Sequence, residues 1–322
     1  MNANIRLEPR AAAILGALVA DAAALGLHWL YDPERIAQIE QSKGVVFLSP
    51  DVRNYEGVSG YFAHGQKQAG DSSAYGELCQ LMLRHVARHG KFYRVDYQSE
   101  YRGYFGPGGG YRGYVDSPTR QTLQKLLPLT PEEFPLQSGA DDDQFAALAT
   151  LPVIVATHTS SLDALKNTIE QVVRLTNHND VAVASAQYTG TVLHDVLAGK
   201  PIVQALNDAL EHAGEMLAPL LEEALQTQQL DALAVGKRFG SACHVPQGTP
   251  IIAHIAKHAP DYRTAVTENI RIGGDSCGRA IMLGAIMAAH TAQQNGLNSI
   301  PLEWAAKLRN LSKVADALVK LT

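Results

Sequence analysis

A chain of 322 residues with 46% hydrophobic and 18% charged residues has the apolar material for a large core and too little charge for a disordered protein. Its net charge of −5, with Lys and Arg scattered along the chain, leaves no basic stripe for a nucleic acid to follow. Three widely spaced cysteines, Cys79, Cys243 and Cys277, fit a reducing cytoplasm better than a disulfide framework.

In residues 9–29 the positions Ile14, Leu18, Asp21, Leu25 and His28 recur every three or four residues, which predicts a helix with Asp21 on its apolar face. Arg6 and Arg10 before the run Ala11 to Ala20 imitate a leader, but Glu8 and the continuation of the pattern through Trp29 argue against one. A membrane span is not expected either, because an Asp near mid-helix costs roughly 2.5–3.5 kcal/mol on insertion. Asp32-Pro33 opens a short helix to about Glu40, and 41–70 read as loop. The next helix is expected from Asp71 to His89, and the Gly- and Tyr-rich stretch 99–120 reads as a second long loop. Further helices are expected at 119–127, 142–157, 161–176, 180–198, 201–227, 229–239, 249–258, 261–270, 276–293 and 302–320. No alternating strand series, heptad run or Pro/Ser-rich linker interrupts them, so one all-α domain over 1–322 is the economical reading.

Chemistry concentrates at two helix mouths. Gly273-Gly274-Asp275-Ser276 precedes the apolar run Ala280 to Ala289, and Gly70-Asp71-Ser72-Ser73 precedes another apolar helix. A carboxylate at the mouth of a buried helix is costly unless it binds something or caps the helix. Arg279, four residues after Asp275, shares its helix face and is expected to pair with it, lending positive charge to the site. Asp141, Asp142 and Asp143 read as a helix start favoured by the dipole. His28, His85 and His178 fall at packed helical or junction positions, and Cys277 has no evident histidine partner for thiol catalysis.

Four segments in order resemble the ADP-ribosylglycohydrolase family, which includes the dinitrogenase-reductase-activating glycohydrolases and the J1 crystallins. They are Leu15 to Ala22, Gly65 to Ser73, Gly113 to Arg120 (with Tyr114 and Asp116) and Gly273 to Gly278; the junction Leu175 to Asp180 matches too. The resemblance implies an all-α hydrolase that uses two Mg²⁺ ions to cleave the glycosidic bond between ADP-ribose and a protein side chain or small acceptor. An N- or O-glycosidic bond of a related ribosylated substrate falls in the same class. The alternative is an inactive member that binds ADP-ribose or a nucleotide, or serves as a structural protein. Carried over by position, Asp71 and Asp275 become the catalytic and metal-binding carboxylates. Asp21, Ser72, Ser73, Gly113, Tyr114, Asp116, Ser276 and Arg279 become substrate-binding positions. Gly70 and Ser72 stand where the first motif has Thr and its second Asp, and Cys277 and Gly278 where the last has Asp and Thr. Hard Mg²⁺ ions are poorly served by such a set.

Overall fold

The computed structural model describes residues 8–295 and 300–321. Helix α1 spans Pro9–Ala24 and tightens into a 3₁₀ turn at Leu25–Leu27. α2 (Pro33–Lys43) follows, capped by Asp32, whose side chain accepts the Arg35 N–H. α3 (Ala74–His89) and α4 (Arg94–Phe105) precede α5 (Ser117–Leu126), which Asp116 caps. α6 (Leu151–Thr157), α7 (Leu162–Val173), α8 (Asp180–Leu197) and α9 (Ile202–Asp208) come next. α10 (Gly214–Gln226), α11 (Ala232–Phe239), α12 (Val245–His258) and α13 (Tyr262–Ile272) lead to α14 (Ser276–Asn295). The short α15 (Leu302–Ala305) and α16 (Leu311–Val319) close the chain. Among the described residues the only β-type pairing is a handful of isolated bridges, so the expected all-α architecture holds.

α1 and α14 form the central pair, flanked by α3, α6, α8, α12 and α13. Both are apolar on every face, as a helix must be when neighbours surround it. Gly16 and Gly284 meet at their crossing, where a β-carbon on either would collide with the partner helix's backbone. Tyr262 of α13 donates to the Gly16 carbonyl at 2.7 Å and ties a third helix to that crossing. The segment Pro9–Leu27 is long and apolar enough to cross a membrane, yet 89% of its apolar window is buried inside the protein, as in a core helix.

Several boundaries differ from expectation. The loop expected at 99–120 begins only after Phe105, because Tyr97, Tyr101 and Phe105 make a buried helical stripe from aromatic residues. The helix expected at 142–157 is a bend, a 3₁₀ turn at Phe145–Leu148 and α6, so Asp141–Asp143 start no helix. The expected 201–227 breaks at Gly214, which has positive φ, and 302–320 is two short pieces. α3 starts at Ala74, three residues later than expected, with Ser73 as its cap.

Candidate functional site

The mouth of α14 is built by two glycines with left-handed backbone, Gly273 (φ 75°) and Gly274 (φ 63°), which end α13 and turn the chain back on itself. Gly274 pairs with the segment after α1: Trp29 donates to its carbonyl at 2.8 Å, and its own N–H donates to Leu30 at 2.7 Å. Side chains at these glycines would collide with the Leu30 and Ser241 carbonyls. Trp29 itself has φ 63°, a conformation that costs a bulky residue of order 1–3 kcal/mol and persists only where its surroundings impose it. That pairing carries His28 onto Asp275.

Asp275 is fully buried, and both its oxygens are hydrogen-bonded within the protein. Oδ1 lies 2.8 Å from His28 Nε2 and accepts the Gly278 N–H at 2.8 Å, the bond of an N-cap carboxylate. Oδ2 accepts the Tyr75 hydroxyl at 2.9 Å. Burial pushes this carboxyl up, but the hydrogen bond and charge of His28, the Gly278 N–H and the charge of Arg279 outweigh it and hold Asp275 below the usual carboxylate range. His28 Nδ1 in turn lies 2.7 Å from His64 Nε2. Burial, with the charges of His28 and Lys67, keeps His64 neutral, its pKa well below the ordinary value. Trp29 stacks on His28 and His64, and Tyr114 meets Trp29 edge-on with ring centroids 5.0 Å apart. Tyr61 stands exposed at the rim, against both Trp29 and Tyr114.

The mouth of α3 is arranged differently. Ser73 caps the helix, and both carboxylate oxygens of Asp21, reaching over from α1, accept from Ser73: one from its N–H at 2.9 Å, the other from its hydroxyl. The Cys277 thiol closes the same joint on the Asp21 carbonyl at 3.6 Å. Burial raises the Asp21 pKa to about 7 against the opposing Ser73 bonds. Burial, then Asp21 and Asp275, push the Cys277 thiol well up, so it is no thiolate nucleophile. Ser72 Oγ accepts from Gln80 at 2.8 Å.

Among the described residues Asp71 and Asp275 share no hydrogen-bonding or ion-pair partner. Asp71 accepts the Gln68 N–H and faces Arg309 at 3.2 Å, at the edge of the C-terminal segment. Arg279 departs from expectation too. It is fully buried, and its guanidinium binds Asn269 Oδ1 and the carbonyls of Asn269, Gly273 and Ser241, rather than pairing with Asp275. The unpaired carbonyls at the end of α13 attract the cation, so it holds the turn, while its charge still acts on Asp275 as expected without a direct bond. Ser276 is sealed in the core and Gly113 lies against Tyr111 and Lys67. Asp116 caps α5 with one oxygen, while its buried Oδ2 has no partner; burial, with the negative charges of Asp142 and Asp275, raises its pKa.

These residues do not fit a pair of Mg²⁺ ions. Octahedral oxygen coordination needs carboxylates with free lone pairs. Asp275 and Asp21 are hydrogen-bonded at every oxygen, Ser72 is committed to Gln80, a buried neutral thiol is a poor ligand for a hard ion, and the one unpartnered oxygen of Asp116 is too few for two octahedral ions. Among the described residues one group has the geometry to hold a metal ion: His85 and His89 on α3 with Glu100 on α4, their ligand atoms within 4.8 Å of one another. It lies towards the opposite end of α3 from the mouth. There His85 Nε2 accepts the Tyr93 N–H, which puts the ring proton on Nδ1 towards Glu100, so a metal would have to displace that bond.

His64, Trp29, Tyr61 and Tyr75 lie outside the residues singled out from sequence, and His28 is there only a packing position. The available signal was the unbroken stripe from Asp21 to His28, which continues directly into the site. Among comparisons with known proteins, a family model described as ADP-ribosylglycohydrolase matches residues 3–322. Crystallin J1A of Tripedalia cystophora is 30% identical over 324 residues, covering 97% of this chain and 95% of the relative. Crystallin J1B of the same organism is 26% identical, with 96% of each chain covered. A solved structure titled ADP-ribosylglycohydrolase-related protein complex superposes with a TM-score of 0.70 at 15% identity, over 98% of this chain and 97% of that one.

Proposed function

The chain belongs to the ADP-ribosylglycohydrolase family, and on that premise we propose that it hydrolyses a ribosyl-type glycosidic bond without the paired Mg²⁺ ions. The observation that carries this reading is the ionised, fully buried Asp275 in contact with His28, beneath an aromatic wall, at the helix mouth that matches the family's last acidic motif. A carboxylate kept charged in a dry site is expensive unless its field is used, and perturbed groups of this kind cluster at reactive sites. In this reading the substrate is ADP-ribose attached to a small molecule or protein side chain, or a related riboside. Trp29 and Tyr114 bound the reacting sugar, and the negative charge of Asp275 favours the positive charge that develops as a glycosidic bond breaks.

A second reading has its own support. The relatives are named crystallins, and the mouth of α3 is closed by Asp21, Ser73 and Cys277 bonding to one another, as in a purely structural joint. The discriminating experiment incubates the protein, in EDTA and in Mg²⁺, with ADP-ribosylated arginine and serine peptides and 4-nitrophenyl riboside. Turnover in EDTA supports metal-free hydrolysis, and turnover only with Mg²⁺ overturns it. No turnover but a melting shift with ADP-ribose marks a binder, and neither marks a structural protein.

A further inference from the structure

We propose that His254 is an acid-operated latch: protonating its ring releases the connection between α10 and α11, and with α11 the Ser241 backbone that supports the mouth of α14. The latch belongs to the fold and holds whatever the site turns over. His254 stands near the end of α12 and is 2% exposed. Its Nδ1 lies 3.2 Å from the Ala224 carbonyl, which only accepts, so Nδ1 carries the ring proton. Its Nε2 accepts the Leu230 N–H at 3.3 Å. The neutral ring thus ties the end of α10 to the connection that leads into α11, with one bond of each kind. A second proton goes to Nε2, where it sets a donor against the Leu230 donor. The neighbouring ties do not switch. Lys257 donates to the Leu225 carbonyl, and His258 Nε2 donates to the Thr227 carbonyl with its ring charged or neutral.

A cavity of about 80 Å³ beneath α11 is lined by His254, Leu230 and Val235 and, from α13, by Glu268 and Ile272, which is room for water to bring the proton. The charged groups around the ring are otherwise engaged. Lys257 and His258 share its helix, Glu223 of α10 is paired with Arg238 of α11 at 2.7 Å, Asp231 caps α11, and Glu268 is bound by Arg271. Burial, opposed by the Ala224 bond and aided by His258 and Lys257, holds the His254 pKa below the ordinary 6.5. The folded ring is therefore the weaker base, so the latch is at full strength above pH 6.5 and weakens as pH falls below it. What it holds is easily opened: Val235 is the one buried residue of α11, and an element with few buried contacts opens at low cost. Two residues beyond α11, past the turn at Gly240 (φ 83°), the Ser241 carbonyl accepts the Asp275 N–H at 2.9 Å and Arg279 Nη1 at 3.3 Å. Release of α11 therefore loosens the backing of the α14 mouth.

Hydrogen exchange of the whole protein, corrected for intrinsic rates, tests this. In the wild type, protection from Leu230 to Phe239 should fall by about five- to tenfold between about pH 7.5 and about pH 5.5, the ratio expected for a ring that titrates normally once α11 opens. The Asp275 amide should follow it, and an Asp275 amide that does not overturns the link to the mouth. His254→Gln keeps a donor and an acceptor but takes up no proton, so its protection should stay within about twofold over that range, while His258→Gln should fall as the wild type does. Wild-type protection constant within about twofold, or a fall that survives in His254→Gln, overturns the latch. ¹⁵N-histidine NMR of the wild type needs no variant: His254 Nε2 should be unprotonated at about pH 7.5 and gain its proton as protection is lost. A proton on Nε2 at that pH, or protection lost with His254 still neutral, overturns it too.

Discussion

At the mouth of α3 the buried carboxylate comes from another helix: Asp21 leans in from α1, spends both oxygens on Ser73, and has its pKa raised to about 7. At the mouth of α14 the carboxylate belongs to the motif itself. Asp275 is held ionised, and its bonds lead outward through His28 to a nitrogen of His64 that nothing satisfies. The two mouths share Gly-Asp-Ser in sequence and a serine or aspartate cap, yet one ends in a closed joint and the other in an open one. The difference lies in the donors: Ser73 takes up both oxygens of Asp21, whereas His28 carries the contacts of Asp275 on to His64.

The largest effect that would break this contrast is at Asp275. Asp275→Asn keeps shape but loses the negative charge that would face the developing positive charge, and steady-state assays in EDTA should show a loss of roughly 10²–10³ in kcat, the scale of removing one electrostatic stabiliser of a transition state. Retained turnover would make the α14 mouth as structural as that of α3.

Asp21 should show itself in stability instead. Its folded-state pKa, about 7, lies above the ordinary 3.8, so the folded state binds the proton more tightly. The stabilisation is therefore present below about pH 4 and lost as pH rises towards 7. Asp21→Asn should flatten that slope by on the order of 3–4 kcal/mol, read as the difference in urea midpoints between wild type and variant across that range. A parallel pair of pH curves would mean that Asp21 is ionised in the folded protein throughout.

Asp71 should matter little: Asp71→Asn breaks a partly exposed pair with Arg309, costing no more than about 1 kcal/mol by urea melts and leaving kcat within about twofold. The smallest expected change is with Mg²⁺ itself. At millimolar concentration it should move the melting temperature by less than about 1 °C, because the buried carboxylates of Asp21 and Asp275 are already hydrogen-bonded at both oxygens, and a clear rise would reopen the metal reading.

Sequence alone was enough for the helical architecture, for α14 as a helix buried on its faces and for the departures from the family's metal-ligand motifs; that α1 is buried almost throughout, rather than along one stripe, came from the structure. The former are local: apolar period, glycine and cap residues, and residue identity within a motif are readable without a partner. Which side chains meet at the site was decided only in three dimensions. Equal spacing put Asp275 and Arg279 on one face, but the carbonyls ending α13 drew the guanidinium away. Asp71 kept its place in the motif, yet the C-terminal segment turned it outward. His28 and His64 lie 247 and 211 residues before Asp275 in the chain, and only the pairing of Gly274 with Trp29 and Leu30 brings their rings to it. Helical periodicity determines the face a residue occupies; the rotation of one element against another, set here by backbone pairing and glycine turns, determines what that face touches.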